Sequence, residues 1–181
     1  DAGTGGLYLR GSNFISLQKA DGSETMIYAA ADGAVQLKYN NSTKFATTSG
    51  GAAVTGNLTV SSEIDVSGDL NVGDSEIGTA STSTSATTQV NISSFSASSF
   101  RSAKYLVQVT NSTDSTYHFT EISIIHDGTD TYMTEVGSMF TGAAAEATFT
   151  SDISSGSVRL LATPASTDSM TFKVSRQAIA V

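Results

Sequence analysis

The chain has 181 residues, with 9 Lys and Arg against 17 Asp and Glu for a formal charge of −8, one Pro, no Cys and no Trp. Without cysteine there is neither a disulfide framework nor a thiolate metal site. The acidic balance leaves nothing to neutralise phosphates, which argues against a nucleic-acid partner, and apolar runs of a few residues fall far short of the ~20 needed for a membrane-inserting helix.

Hydroxyl residues dominate: 29 Ser and 25 Thr make 54, while charged residues are only 14%. Hydrophobic residues still reach 39%, with many Val, Ile and Thr. That combination favours β-structure over disorder, and the lack of long Leu/Glu/Lys/Arg stretches argues against an α/β enzyme. The opening Asp1-Ala2-Gly3-Thr4-Gly5-Gly6 has no Met and lacks the charged-then-apolar build of a signal peptide, so the chain is expected to be a segment of something longer or a processed product.

Turn signals recur at short intervals from the start: Gly5-Gly6, Gly11-Ser12-Asn13, Asp21-Gly22-Ser23, Asp32-Gly33 and Asn40-Asn41-Ser42. Strand-length runs lie between them at Leu7-Tyr8-Leu9-Arg10, Phe14-Ile15-Ser16-Leu17, Met26-Ile27-Tyr28-Ala29 and Val35-Gln36-Leu37-Lys38-Tyr39. In the last, Val35, Leu37 and Tyr39 share one face and Gln36 and Lys38 the other, the period of two of a half-buried strand. A weak repeat follows, in which Gly56-Asn57-Leu58-Thr59-Val60 returns as Gly68-Asp69-Leu70-Asn71-Val72 with Ile64 and Val66 between. Such units cannot close a core singly and must stack on neighbours or on other chains.

Residues 78–88 contain no charge and no aliphatic side chain larger than Ala. Low complexity of this kind marks a linker or a solvated edge strand, and the domain boundary is expected within it. The predicted division is a short-stranded β-region over 1–78, a Ser/Thr-rich linker over 79–88 and a second domain over 89–181. In that second domain Tyr105, Val107 and Val109 alternate, and a second run extends from Tyr117 to His126. Asp127-Gly128-Thr129-Asp130 then reads as a hairpin turn into a strand from Thr131 to Val136. Further strands are predicted at 147–150, 158–163, 170–174 and 177–181, with a helical turn over 97–103. About eight short strands with turns every 8–12 residues is the pattern of a β-sandwich or jelly roll.

Residues suited to catalysis are few. His118 and His126 are the only histidines and share a face of one predicted strand, where they are expected as solvent-facing or rim residues. Neither an HExxH pattern nor a Gly-x-Ser-x-Gly elbow occurs. Glu121, Asp127, Asp130 and Glu135 are the carboxylates that a glycosidase reading would use, with Glu121 and Glu135 on adjacent strands of one hairpin. Like charges directly opposite are destabilising, and there is no Trp platform for a sugar. No catalytic residue, metal ligand or cofactor site is therefore assigned, and the chain is read as a non-enzyme.

The run Asp32-Gly33-Ala34-Val35-Gln36-Leu37-Lys38-Tyr39-Asn40-Asn41-Ser42-Thr43-Lys44-Phe45-Ala46-Thr47-Thr48, followed by Thr55-Gly56-Asn57-Leu58-Thr59-Val60, resembles the repetitive shaft of tail-fibre and related virion proteins of marine bacteriophages. Phe100-Arg101-Ser102-Ala103-Lys104-Tyr105, Ile124-Ile125-His126-Asp127-Gly128-Thr129 and Gly156-Ser157-Val158-Arg159-Leu160 resemble the C-terminal module of the same proteins. The resemblance implies an all-β virion appendage: a fibrous, intertwined homotrimeric shaft followed by a β-sandwich that touches the host surface. Its expected partners are two further copies of itself, other virion proteins on the N-terminal side, and a host surface glycan or protein. In that arrangement Leu58, Val60, Leu70 and Val72 would carry the trimer core. Loops holding Asn111, Thr113, Asp127 and Asp130, together with residues 142–146, would contact the receptor, because rigid sheets commonly display recognition loops. A capsid-attached head fibre, a trimeric polysaccharide depolymerase and a bacterial surface adhesin are the alternatives.

Overall fold

The computed structural model describes residues 8–181, so the Gly5-Gly6 turn and the first residue of the Leu7–Arg10 run lie outside the described residues. The protein is all-β, as expected, with no helix among the described residues. It divides into two compact units, Asp1–Ile64 and Asp65–Val181.

The first unit is a five-stranded antiparallel meander of β1 (Phe14–Gln18), β2 (Thr25–Ala30), β3 (Val35–Tyr39), β4 (Ser42–Thr48) and β5 (Gly51–Val54). Its turns follow local chemistry. Asn40 and Asn41 both adopt positive φ, at 50° and 59°, as the two-residue hairpin between β3 and β4 requires. The Asn41 side chain then ties this turn to another, accepting from the Thr25 N–H at 2.9 Å and donating to the Ser23 carbonyl at 2.9 Å. Tyr8, Leu9 and Arg10 are in no strand, contrary to expectation.

The second unit is a sandwich. Its larger sheet has the order β11-β10-β9-β14-β7-β6, from β6 (Leu70–Val72), β7 (Ser75–Thr84), β9 (Phe100–Asn111), β10 (Thr116–His126), β11 (Thr131–Phe140) and β14 (Met170–Ala180). A three-stranded sheet, β12 (Ala147–Ser154), β13 (Ser157–Pro164) and β8 (Val90–Ser96), covers its inner face. The period of two is strict on the central strands: Tyr105, Val107 and Val109 on β9 and Met170, Phe172 and Val174 on β14 are buried, and the residues between them face outward. Ile92, Phe95, Phe149, Val158 and Leu160 close the core from the smaller sheet. Each such side chain contributes roughly 1.5–3 kcal/mol of burial.

Three further expectations change. The Ser/Thr-rich run is largely strand β7 and belongs to the sandwich: Ala80, Thr82 and Thr84 sit opposite Val174, Phe172 and Met170 and are partly buried beside them. The compact units accordingly part near residue 65 rather than within 79–88. The two repeat copies also differ, since Leu70–Val72 pairs with β7 across a Gly73-Asp74 turn while residues 56–60 form no strand. Finally, residues 97–99 make a tight turn closed by Ser99 N–H to the Ser96 carbonyl, leading directly into β9 without a helical turn.

Candidate functional site

One end of the sandwich is organised by Asn111, the last residue of β9. It is only 2% exposed. Its Nδ2 donates to Glu146 Oε2 at 3.1 Å and Asp168 Oδ2 at 3.0 Å, and its Oδ1 accepts the Thr113 and Asp114 backbone N–H groups. Thr116 donates to Glu146 Oε1 at 2.5 Å and Ser166 to Asp168 Oδ2 at 2.7 Å. These donors, Ser166 first and then Asn111, hold the Asp168 carboxyl below its usual range. Asn111 is thus a buried tie between three loops and not a receptor-facing residue. Its short amide supplies two donors and one acceptor where three chain segments converge. Thr113 is exposed, with its Oγ1 accepting from the Ser169 N–H at 3.1 Å.

Asp127 and Asp130 lie at the opposite end. The 11-residue strand β10 separates this turn from residues 112–115, so at ~3.3 Å per residue the two candidate loops are on the order of 35 Å apart. The Asp127 Oδ1 accepts N–H groups from Thr129 and Asp130, and its Oδ2 accepts the Tyr132 hydroxyl at 3.1 Å. The backbone bonds, led by that of Asp130, hold the Asp127 carboxyl below its ordinary value. The turn is therefore preformed and exposed. The loops expected to contact a receptor therefore lie on two separate surfaces.

Both histidines are buried, at 1% and 3% exposure, contrary to the expected solvent-facing placement. They occupy inward positions on β10: His118 Nε2 bonds Ser138 Oγ at 2.8 Å, and His126 Nε2 donates to the Phe100 carbonyl at 2.8 Å. His118 packs against Phe140 and Phe149, and burial lowers its pKa against the opposing pull of Glu135 and Glu146. Each Nδ1 is buried without a partner. Glu121 and Glu135 do not face each other. A bulge at Gly137, φ 69°, sets Glu121 opposite Val136 and Glu135 opposite the core residue Ile122, so the two carboxylates lie on opposite faces of the sheet. Glu121 instead bonds Lys104 at 2.6 Å on the outer face.

The most unusual chemistry was missed in the sequence. Arg176 falls at an inward position of β14, 8% exposed, in the same cross-strand row as Tyr105 and Gly78. Its guanidinium pairs with Glu76, donates to the Ser94 carbonyl, and approaches Asp69 at 3.5 Å. Gly78 makes this possible, since a Cβ there would lie 2.5 Å from Asp69 Oδ1 and 2.8 Å from Arg176 Nη2. Burial pushes the neighbouring Tyr105 phenol upward, and its hydroxyl has no partner. The signal was present as Met170, Phe172, Val174, Arg176 and Ala178, an arginine within an apolar stripe of period two.

The expected assembly residues are all exposed within the single chain, Leu58 by 68%, Val60 by 42%, Leu70 by 43% and Val72 by 57%. They are not isolated cases. No residue from Tyr8 to Ile77 is buried, although Leu17, Ile27, Leu37, Phe45 and Val54 form one unbroken cross-strand row over the whole five-stranded sheet. On β3 the apolar face is the uncovered one, with Val35 and Leu37 exposed and Gln36 and Lys38 partly covered. Among the described residues no three His, Asp or Glu side chains converge as a metal site would require.

No family model matches the chain, and no curated protein matches it in sequence. Among solved structures it is similar to the tailspike protein of the Acinetobacter phage vB_ApiP_P1, at 16% identity and a TM-score of 0.35, over 71% of this chain and 26% of that one.

Proposed function

We propose that the chain is a structural component of a phage tail fibre, assembled as a homotrimer and displaying its C-terminal β-sandwich for attachment to the host surface. One observation carries the reading: a five-stranded sheet whose apolar row from Leu17 to Val54 has no partner within its own unit, in a stretch without one buried residue from Tyr8 to Ile77. The apolar face of a sheet must bury against another element, and an exposed strand edge invites pairing with a further chain. Further copies supply that layer without any additional protein. The shaft and C-terminal sequence elements that resemble fibre proteins of marine phages support the same assignment. Trimeric display makes three copies of whichever sandwich end faces the host, that of Asp127 or that of Thr113, act together by avidity.

Solution mass by light scattering tests the assembly, with three chain masses expected and a folded monomer at all concentrations refuting it. Leu37→Asp places a charge in the middle of the row and is expected to weaken assembly, lowering the mean mass at a given concentration with the sandwich intact. An unchanged mass would remove that row from the assembly core. Detection of the chain in purified particles separates a virion protein from a bacterial adhesin, and the neighbour crosslinked to its N-terminal side separates tail from capsid attachment.

A further inference from the structure

The outer face of the six-stranded sheet carries a run of alternating apolar and serine side chains near one end of its strands. In one row, Val72, Ser75, Ile179, Ser102, Ile125 and Tyr132 follow one another across all six strands, a large apolar group alternating with serine for most of its length. The adjacent row begins with Leu70 beside Ile77, and in the next row Leu106 lies between Glu121 and Ser175. The serines leave hollows between the apolar ridges. Ser102, Ile125, Tyr132 and Ile179 together line a shallow open groove of about 510 Å3.

We propose that this face is the contact surface between copies of the sandwich, with a second copy of the chain as its occupant. The inference rests on the homo-oligomeric reading and deepens it by adding an interface outside the meander. Three features favour a copy of the same chain. In the row from Val72 to Tyr132 apolar groups stand either side of serine hollows, so the ridges of one copy fit the hollows of another there. The exposed apolar groups, among them Val72 at 57%, Ile125 at 51% and Val136 at 59%, are each about half open. At ~3.3 Å per residue and ~4.8 Å between strands, the six strands span a face on the order of 900 Å2, large enough for the ~800 Å2 that one partner contributes to a standard interface.

Charge is the third feature. The chain carries −8 overall, yet Glu121 is the one acid among the paired outward positions of this sheet and is already neutralised by Lys104, leaving Lys173 as the remaining charge. Copies that repel elsewhere meet here without like-charge opposition, and charge depletion with Tyr132, Phe119 and Met139 on the face is the composition of an interface centre. Leu70 and Val72, read from the sequence as assembly residues, stand at one edge of this face.

The test compares the full chain with Ile125→Asp by light scattering over a range of concentrations, with circular dichroism to follow the fold. Ile125→Asp is expected to lower the mean mass by twofold or more at equal concentration while the β-signal is retained. Ser123→Cys, on the same face in a chain without other cysteines, is expected to react with a maleimide at least tenfold more slowly in the assembled state than after dilution to monomer. An oligomeric wild type whose mass is unchanged by Ile125→Asp, together with a Ser123→Cys variant whose thiol reacts freely, overturns this interface and leaves the assembly reading standing. A monomeric wild type overturns both, and a thiol protected in a monomer overturns the interface by placing another part of the same chain on the face. Where Ile125→Asp fails to fold, the thiol reactivity decides alone.

Discussion

Replacing Glu76 by Gln leaves the Arg176 guanidinium in the sandwich interior without its close carboxylate. The side chains are 9% and 14% exposed, so neither ion regains full solvation when the other is lost. Breaking such a buried pair costs about 3–5 kcal/mol. Here Ser94 still accepts and Asp69 stands 3.5 Å away with a side chain 46% exposed, which brings the expectation down to about 2–3 kcal/mol. With a urea m-value of about 1.5–2 kcal/mol/M, the midpoint falls by roughly 1–2 M. The control is Glu121→Gln, read in chains diluted to monomer because this residue lies on the face proposed to meet a second copy; it breaks the Lys104 pair at 2.6 Å, where both side chains are more than 40% exposed. That change is worth about 0–1 kcal/mol, since water screens the pair. Glu76→Leu combined with Arg176→Met removes both ions and should recover most of the loss, because an apolar replacement avoids desolvating charge. The assay is urea unfolding at one fixed protein concentration, since assembly would shift every midpoint. A Glu76→Gln shift no larger than the Glu121→Gln control, or a double variant no better than the single one, would refute the description of Arg176 as a buried ion.

Stability should also respond to pH through His118. Its pKa is depressed by burial below the ordinary 6.5, so the unfolded chain takes up the proton first as pH falls. Stability is then full above about pH 6.5 and declines as pH drops through 6.5 toward the lower folded value; His118→Gln should flatten this part of a midpoint-versus-pH curve, and parallel curves would disprove the assignment. Asn111→Ala removes the amide between Glu146 and Asp168 and the acceptor of two loop N–H groups. It should cost about 2–3 kcal/mol in the same unfolding assay, with accelerated amide exchange at Thr113 and Asp114; unchanged exchange would show that the loop is held elsewhere.

The sandwich was legible because burial there follows the side-chain period: Tyr105, Val107 and Val109 are buried where alternation puts them, and the turn at Asp127 lies where Asp-Gly signals it. β7 was not legible, because a strand facing Phe172 and Met170 is filled by Thr and Ala, and small hydroxyl residues look the same in a linker as in a crowded sheet. β14 was read as two strands because Arg176 interrupts its apolar stripe, and that interruption marks the buried ion pair. The histidines and Asn111 were misplaced for a related reason. Polar side chains at inward positions are buried only when specific long-range partners exist, and Ser138, Phe100, Glu146 and Asp168 are not identifiable as partners from spacing alone.

A stretch of about seventy residues without one buried side chain also has a temporal meaning. The meander leaves the ribosome ahead of the sandwich, with its apolar row complete and nothing to cover it. Under the proposed assembly the sandwich, which owns its core, folds as a unimolecular event, whereas the meander waits for an encounter between chains. Maturation then becomes second or higher order in chain, and the local concentration during synthesis sets its half-time. Once sandwiches have associated, the three meanders are tethered at millimolar effective concentration, and the slow step becomes intramolecular.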